Sequence, residues 1–190
     1  MTPDSHEFIA KNGRIIMIRG ARPEDARAMV DYLKTTAGES ENLTKSPEEV
    51  VITVPEEEAF LKALMNDERR FMLNAFDGDK LVGNVYLAEI GSRKRIRHWA
   101  SMGIAVIQDY WGLGIGRALM KAALHTAEKL GFEQVELGVY TNNENALKLY
   151  QSLGFEIYGR LPRACKLGKD KYQDDLLMVK TLPQGGTSNE

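Results

Sequence analysis

Apolar residues along this chain recur in two rhythms, and the switches between them predict a mixed order of strands and helices. Arg14 to Arg19 is isoleucine-rich and predicts a first strand. Pro23 then opens an amphipathic helix that carries Met29, Val30 and Leu33 along one stripe. The polar run from Thr35 to Glu49, with Gly38, Ser46 and Pro47, predicts a loop. Pro55 starts a second helix, with Phe60, Leu61, Leu64 and Met65 at helical spacing. Arg70 to Phe76 and Lys80 to Glu89 flank Asp77-Gly78-Asp79, a hairpin signal. The basic stretch Arg93 to Arg97 fits a solvated connection between strands or a phosphate patch, and the connection is the simpler reading.

His98 to Val106 predicts a further strand that runs into the segment Asp109-Tyr110-Trp111-Gly112-Leu113-Gly114-Ile115-Gly116-Arg117, and a helix follows to about Leu130. Gln134 to Val139 alternates Val135, Leu137 and Val139 onto one face, as a strand does. Asn143 to Leu153 is helical and stops at Gly154. Phe155 to Arg160 and Leu176 to Lys180 predict the last strands. The expected boundaries are a flexible N-terminal segment over 1–12, one domain over 13–182 and a disordered tail over 183–190.

The glycine-rich turn at Gly112 is the first candidate for chemistry. A turn of this kind that opens a helix aims several backbone N–H groups one way, toward the partly positive end of the helix, which suits a phosphate or pyrophosphate. A Walker A loop needs Lys-Ser/Thr after its last glycine, and none is present. A dinucleotide fingerprint counted from Gly112 or Gly114 puts Arg117 or Leu119 where the third glycine belongs. The alternative is a turn that binds nothing, for which one glycine would suffice.

Composition narrows the class without naming the ligand. The 190 residues suffice for one domain with a sizeable core. A formal net charge of −2 gives no reason to expect nucleic acid as a partner. Cys165 is the only cysteine, so a disulfide framework and a cysteine metal cluster are excluded, and no metal site is expected. Met1 to Gly13 is polar, with Asp4 and Glu7, unlike a signal peptide, and no apolar run reaches the length of a membrane span. The expectation is a soluble cytoplasmic protein.

A second motif follows the strand at Gln134. Asn143, Ala146, Leu149, Tyr150, Gly154 and Phe155 match Asn-x-x-Ala-x-x-Leu-Tyr-x-x-x-Gly-Phe at all six positions. With the turn at Gly112 to Gly116, this closely resembles the GNAT (general N-acetyltransferase) superfamily. The resemblance is specific from about His98 to Phe155, and the order of elements fits from Arg14 to Lys180. It implies an α/β fold: a mixed, strongly twisted sheet of six to seven strands with helices on both faces. The central strands splay apart to admit acetyl-CoA.

The resemblance further implies direct transfer of the acetyl group from acetyl-CoA, the cosubstrate, to a primary amine. The positions it gives to the cofactor are Ile104, Ala105, Val106, Gly112, Leu113, Gly114, Ile115, Gly116, Arg117, Asn143, Ala146 and Tyr150. Backbone N–H groups from Gly112 to Arg117 hold the pyrophosphate, and the main chain of Ile104 and Val106 pairs with the pantetheine amides. Asn143 caps its helix and contacts the cofactor. Tyr150 is the catalytic residue, protonating the departing thiolate. A small-molecule amine or amino acid is the first choice of acceptor, and a protein or peptide amine the second. A non-catalytic acyl-CoA-binding regulator is the reading from another class. Homodimers are common in the superfamily.

Two positions depart from the pattern. Trp111 stands where the family often has Arg or Gln. Gly138 stands five residues before Asn143, where some ribosomal-protein alanine acetyltransferases carry a glutamate base. His98, Glu89, Glu39, Asp174, Asp175 or a water chain are the substitutes, and the sequence does not choose among them. Cys165 has no neighbouring histidine in sequence to make it a nucleophile.

Overall fold

Burial follows the predicted rhythm in most elements. A computed structural model describes residues 5–183, with the strand order β1-β2-β3-β4-β5-β6-β8-β7 and four α-helices. The sheet is mixed: β5 pairs with β6 in parallel, whereas β1–β2, β2–β3, β6–β8 and β7–β8 are antiparallel. Its eight strands exceed the six to seven expected, and β1 is one that the apolar rhythm did not reveal. The chain divides into two compact units. One comprises 5–87 and 103–120, the other 88–102 and 121–183.

The first unit begins with β1 (His6–Ile9), antiparallel to β2 (Ile15–Gly20). Residues 6–9 therefore form a strand where a flexible segment was expected. His6-Glu7-Phe8-Ile9 has no apolar alternation, because β1 is an exposed edge held by the ladder to β2 rather than by burial. Pro23 opens a short 3-10 turn, and α1 (Ala26–Glu39) follows. Thr35 to Glu39, expected in a loop, complete that helix. Thr35 and Thr36 direct their hydroxyls back to the carbonyls of Asp31 and Tyr32, and Thr36 and Ala37 are buried. Polarity misled here because two threonines satisfy themselves along the helix.

α2 (Val54–Met65) starts as expected, with a reciprocal Thr53–Glu56 capping box. β3 (Arg70–Asp77) and β4 (Lys80–Glu89) form the expected hairpin. A buried polar network ties the entry of α1 to these strands. Arg19 donates two bonds to the Asp25 carboxylate at 2.7 and 2.6 Å, and Arg22 N–H adds a third at 2.9 Å. Asn74 Nδ2 reaches the same carboxylate at 3.4 Å, and Asn84 Nδ2 donates to Asn74 Oδ1 at 2.8 Å. β5 (Trp99–Val106) ends in this unit, and a 3-10 turn (Gln108–Tyr110) leads to α3 (Ile115–Lys129). Gly83 on β4 lets the start of α3 approach: a side chain there would stand 3.0 Å from Leu119 Cδ1 and 3.3 Å from Val106 Cγ2.

In the second unit β6 (Gln134–Tyr140) buries Val135, Leu137 and Val139 as the alternation predicts. α4 (Glu144–Ser152) follows. β7 (Glu156–Gly168) and β8 (Lys171–Thr181) form a hairpin far longer than the two short strands expected. The extra length of β7 is largely exposed on both faces, Leu161 included, with bulges near Ile157, Leu161 and Lys166. Backbone pairing and an Arg160–Asp174 ion pair hold it, so no apolar pattern marks it in the sequence. Residues 184–190 of the expected tail lie outside the described residues.

Candidate active site

The glycine turn owes its shape to backbone angles that other residues resist. Gly112 has φ +74° and Gly114 φ +91°, both in the left-handed region. At Gly112 a side chain would meet nothing within 4 Å, so conformation alone demands glycine there. At Gly114 a side chain would also come within 3.1 Å of Phe8 Cζ. Ala118 N–H donates to Gly114 O at 3.1 Å, so Ile115 and Gly116 precede the regular ladder of α3 and present the amides of a helix start. Lys11 N–H holds the Leu113 carbonyl from the outside at 3.1 Å.

The approach to this turn is equally constrained. Ala105 O accepts the Tyr32 hydroxyl at 2.8 Å, and Val106 O accepts the Trp111 indole N–H at 2.6 Å. Each carbonyl keeps a second lone pair. Burial pushes the Tyr32 hydroxyl far above its usual range, so it remains a donor at any working pH. Trp111, whose role the sequence left open, thus clamps the loop between β5 and the turn. Tyr110 donates to Asp77 Oδ2 at 2.8 Å, and Arg14 pairs with the same carboxylate. These bonds from Tyr110 and Arg14 hold the Asp77 carboxyl below the ordinary carboxylate range.

In the second unit Asn143 Oδ1 accepts Ala146 N–H at 3.2 Å and so caps α4, as the motif predicts. Tyr150 is 7 % exposed, its ring 6.0 Å from that of Phe155. Burial pushes its hydroxyl up to about 12, which keeps the proton in place at neutral pH.

The candidate bases separate. Glu39 Oε2 accepts the Gln108 amide at 2.7 Å, linking the end of α1 to the loop before the glycine turn. Asp174 accepts from Arg160 Nε and from Arg163 N–H, each at 2.8 Å, and these bonds hold it below the ordinary range. His98 lies just ahead of β5, and its carbonyl receives Glu133 N–H at 2.8 Å. Glu89 ends β4, half-buried. Asp175 differs from all four. Burial raises its carboxyl, against the opposing effect of the Val139 N–H. Its Cγ and Oδ1 stand 3.0 Å from where a side chain at Gly138 would begin, and Oδ2 lies closer still. Sequence spacing flagged Gly138 and Asp175 separately, but their meeting depends on the β6–β8 register.

Cys165 is half-buried and in hydrogen-bond contact with Tyr140, whose hydroxyl is pushed up to about 12 by burial first and then by that contact. Among the described residues no group of three or more His, Cys, Asp or Glu could hold a metal ion. No helix among them is long and apolar enough to cross a membrane, which leaves β-barrel spans unaddressed.

The fold and both motifs define an acetyltransferase scaffold, and comparison with known proteins agrees. Residues 35–155 match the Acetyltransferase (GNAT) family. The N-alpha-acetyltransferase 30 of Schizosaccharomyces pombe is 31% identical over 104 residues, 54% of this chain and 69% of that protein. The L-amino acid N-acetyltransferase AaaT of Escherichia coli is 33% identical over 89 residues, 46% of this chain and 54% of that protein. The crystal structure of a GNAT-family acetyltransferase from Streptococcus pneumoniae superposes with a TM-score of 0.83 at 31% identity, covering 88% of this chain and 99% of that one. This chain belongs to the GNAT acetyltransferase family and is an acyltransferase.

Proposed function

We propose that this protein transfers the acetyl group of acetyl-CoA directly to a primary amine of a small molecule or amino acid. The observation that carries the reading is the glycine turn, whose two left-handed residues, Gly112 and Gly114, carry no side chain of their own where they lead into the first amides of α3. In this reading the amides from Gly112 to Arg117 receive the pyrophosphate, and the main chain of Ile104, Ala105 and Val106 meets the pantetheine arm. The Asn143–Ala146 cap fixes the start of α4, which carries Tyr150. The Tyr150 hydroxyl, protonated at working pH, hydrogen-bonds the sulfur as the carbon–sulfur bond breaks. Orientation of amine and thioester, with a backbone N–H on the developing oxyanion, supplies the rest of the rate.

The two curated relatives are named for different acceptors, an N-alpha group and L-amino acids. The second supports the small-molecule reading, and the first keeps a peptide amine as the alternative. The test is a screen with acetyl-CoA and thiol detection over L-amino acids, polyamines, aminoglycosides and short peptides. Saturable thiol release with one class names the acceptor. A melting temperature that neither CoA nor acetyl-CoA raises removes the cofactor assignment.

A further inference from the structure

Gly138, Glu136 and Tyr140 share the face of β6 opposite its buried Val135, Leu137 and Val139. In the antiparallel ladder Gly138 pairs with Leu177 and Tyr140 with Asp175, so Asp175 is the diagonal neighbour of Gly138 on that same face. The absence of a side chain at Gly138 is what lets the carboxylate of Asp175 lie over β6: even a methyl group there would collide with Oδ2. Two residues along β8, Gln173 projects to the same face by alternation. It is only 7 % exposed, and among the described residues its Oε1 is a buried acceptor with no hydrogen-bond partner. Such an atom costs stability unless something donates to it.

We propose that Asp175 is the group that takes the proton from the acceptor nitrogen, with Gln173 Oε1 receiving a second N–H of that amine. The inference rests on the acetyltransferase reading above. The nitrogen–carbon bond forms as a proton passes from nitrogen to an Asp175 oxygen. The carbon–sulfur bond then breaks, and the sulfur takes the Tyr150 proton. The proton on Asp175 returns through solvent to the Tyr150 oxygen, so amine plus thioester become amide plus thiol. An amine that arrives as ammonium releases one further proton to water.

The chemistry of the surroundings suits this role. Burial disfavours the charged carboxylate, which makes it a stronger base than an exposed aspartate, and the Val139 N–H keeps it oriented. The titratable groups around it are Tyr140 and Glu136 on β6 and Tyr158 and Cys165 on β7. Tyr158 donates to Glu136 Oε2 at 2.9 Å, and both tyrosines are held protonated, so neither competes as a base near neutral pH. Asp174 is occupied by Arg160 and Arg163.

The experiment measures kcat/KM against pH for wild type, Asp175→Asn and Asp175→Ala, using the best acceptor among L-amino acids, spermidine and short peptides. A melting temperature no lower than that of wild type and retained CoA binding serve as the controls. Wild type should lose activity below a pKa above that of an ordinary aspartate. Asp175→Asn should fall by about 100-fold or more and lose that acid limb. Asp175→Ala should be partly rescued by added formate or imidazole, and Gln173→Leu should raise KM while leaving the limb in place. An Asp175→Asn enzyme within about threefold of wild type, or a slower one with the limb unmoved, overturns the assignment while leaving the acetyltransferase reading intact. Wild type that turns over none of these amines overturns both.

Discussion

Trp111 donates its indole N–H to the backbone oxygen of Val106 at 2.6 Å, closing the five-residue step between β5 and the glycine turn. The position departs from the residue the family often carries, and the bond shows what the substitution achieves: it fixes the loop from which the turn projects. The indole is half exposed, so the bond is worth about 1 kcal/mol. Trp111→Phe should therefore weaken CoA binding by roughly fivefold and lower the melting temperature by only a few degrees. Titration calorimetry alongside thermal melting checks both.

Glu39 was a candidate base on sequence grounds, yet its carboxylate is committed to the Gln108 amide. Glu39→Gln preserves an acceptor and should leave the pH–rate profile unmoved. Glu39→Ala should cost about 1 kcal/mol of stability by leaving that amide without its partner. Urea melts and a pH–rate series distinguish an anchor from a base.

Asp25 accepts from Arg19, Arg22 and Asn74 at the entry of α1 and is 6 % exposed. Burial alone would raise its carboxyl, but the Arg19 pairing and the Arg22 amide together bring it below the ordinary range. Removing one partner leaves a nearly buried guanidinium, so Asp25→Ala should destabilise the first unit by about 3 kcal/mol. The sign of the pH dependence follows from the lowered value. Asp25 contributes fully above the unfolded carboxyl's range, and its contribution disappears as pH falls through the lower folded value. Chemical denaturation at pH 7 and at pH 3 should show the wild-type advantage shrinking in acid.

Asp175 behaves oppositely. Its folded carboxyl is raised, so its contribution is fully present below the unfolded value and is lost as pH climbs through the folded one. Near neutrality the charged form is a burden on the fold. Asp175→Asn should raise the melting temperature at pH 7 and lose that advantage below pH 4, as checked by calorimetry at the two pH values. A residue that slows the reaction when replaced while stabilising the fold marks a stability–activity trade-off.

The glycine turn and the α4 cap, which the proposed cofactor site uses, were legible because they are written in local sequence. Positive φ at Gly112 and Gly114 forces glycine, and capping at the start of α4 favours asparagine at 143. The alternation of Val135, Leu137 and Val139 likewise announced β6. Elements held by ladder bonds were not legible. β1 is an exposed edge, and the outer part of β7 is exposed on both faces, so neither carries a regular apolar alternation. Thr35 and Thr36 look like loop residues until their hydroxyls turn back into α1. The proposed acceptor site was not legible for a third reason: Gly138 and Asp175 are 37 residues apart in sequence and meet only through the strand register. The sequence pointed to a missing base at Gly138, and the diagonal neighbour that fills its space is a property of the sheet.

The proposed reaction is acetyl transfer to an amine with Tyr150 at the leaving sulfur. Its most direct measurement follows acetylated amine and free CoA together by mass spectrometry, for wild type and for Tyr150→Phe. Wild type should give the two products in equal amounts. Tyr150→Phe should react more slowly by about 10²-fold or more, with CoA affinity kept. Because the hydroxyl titrates only near 12, the variant's acid limb should match that of wild type. CoA binding without acetylated product from any amine, or a Tyr150→Phe enzyme as fast as wild type, would contradict it.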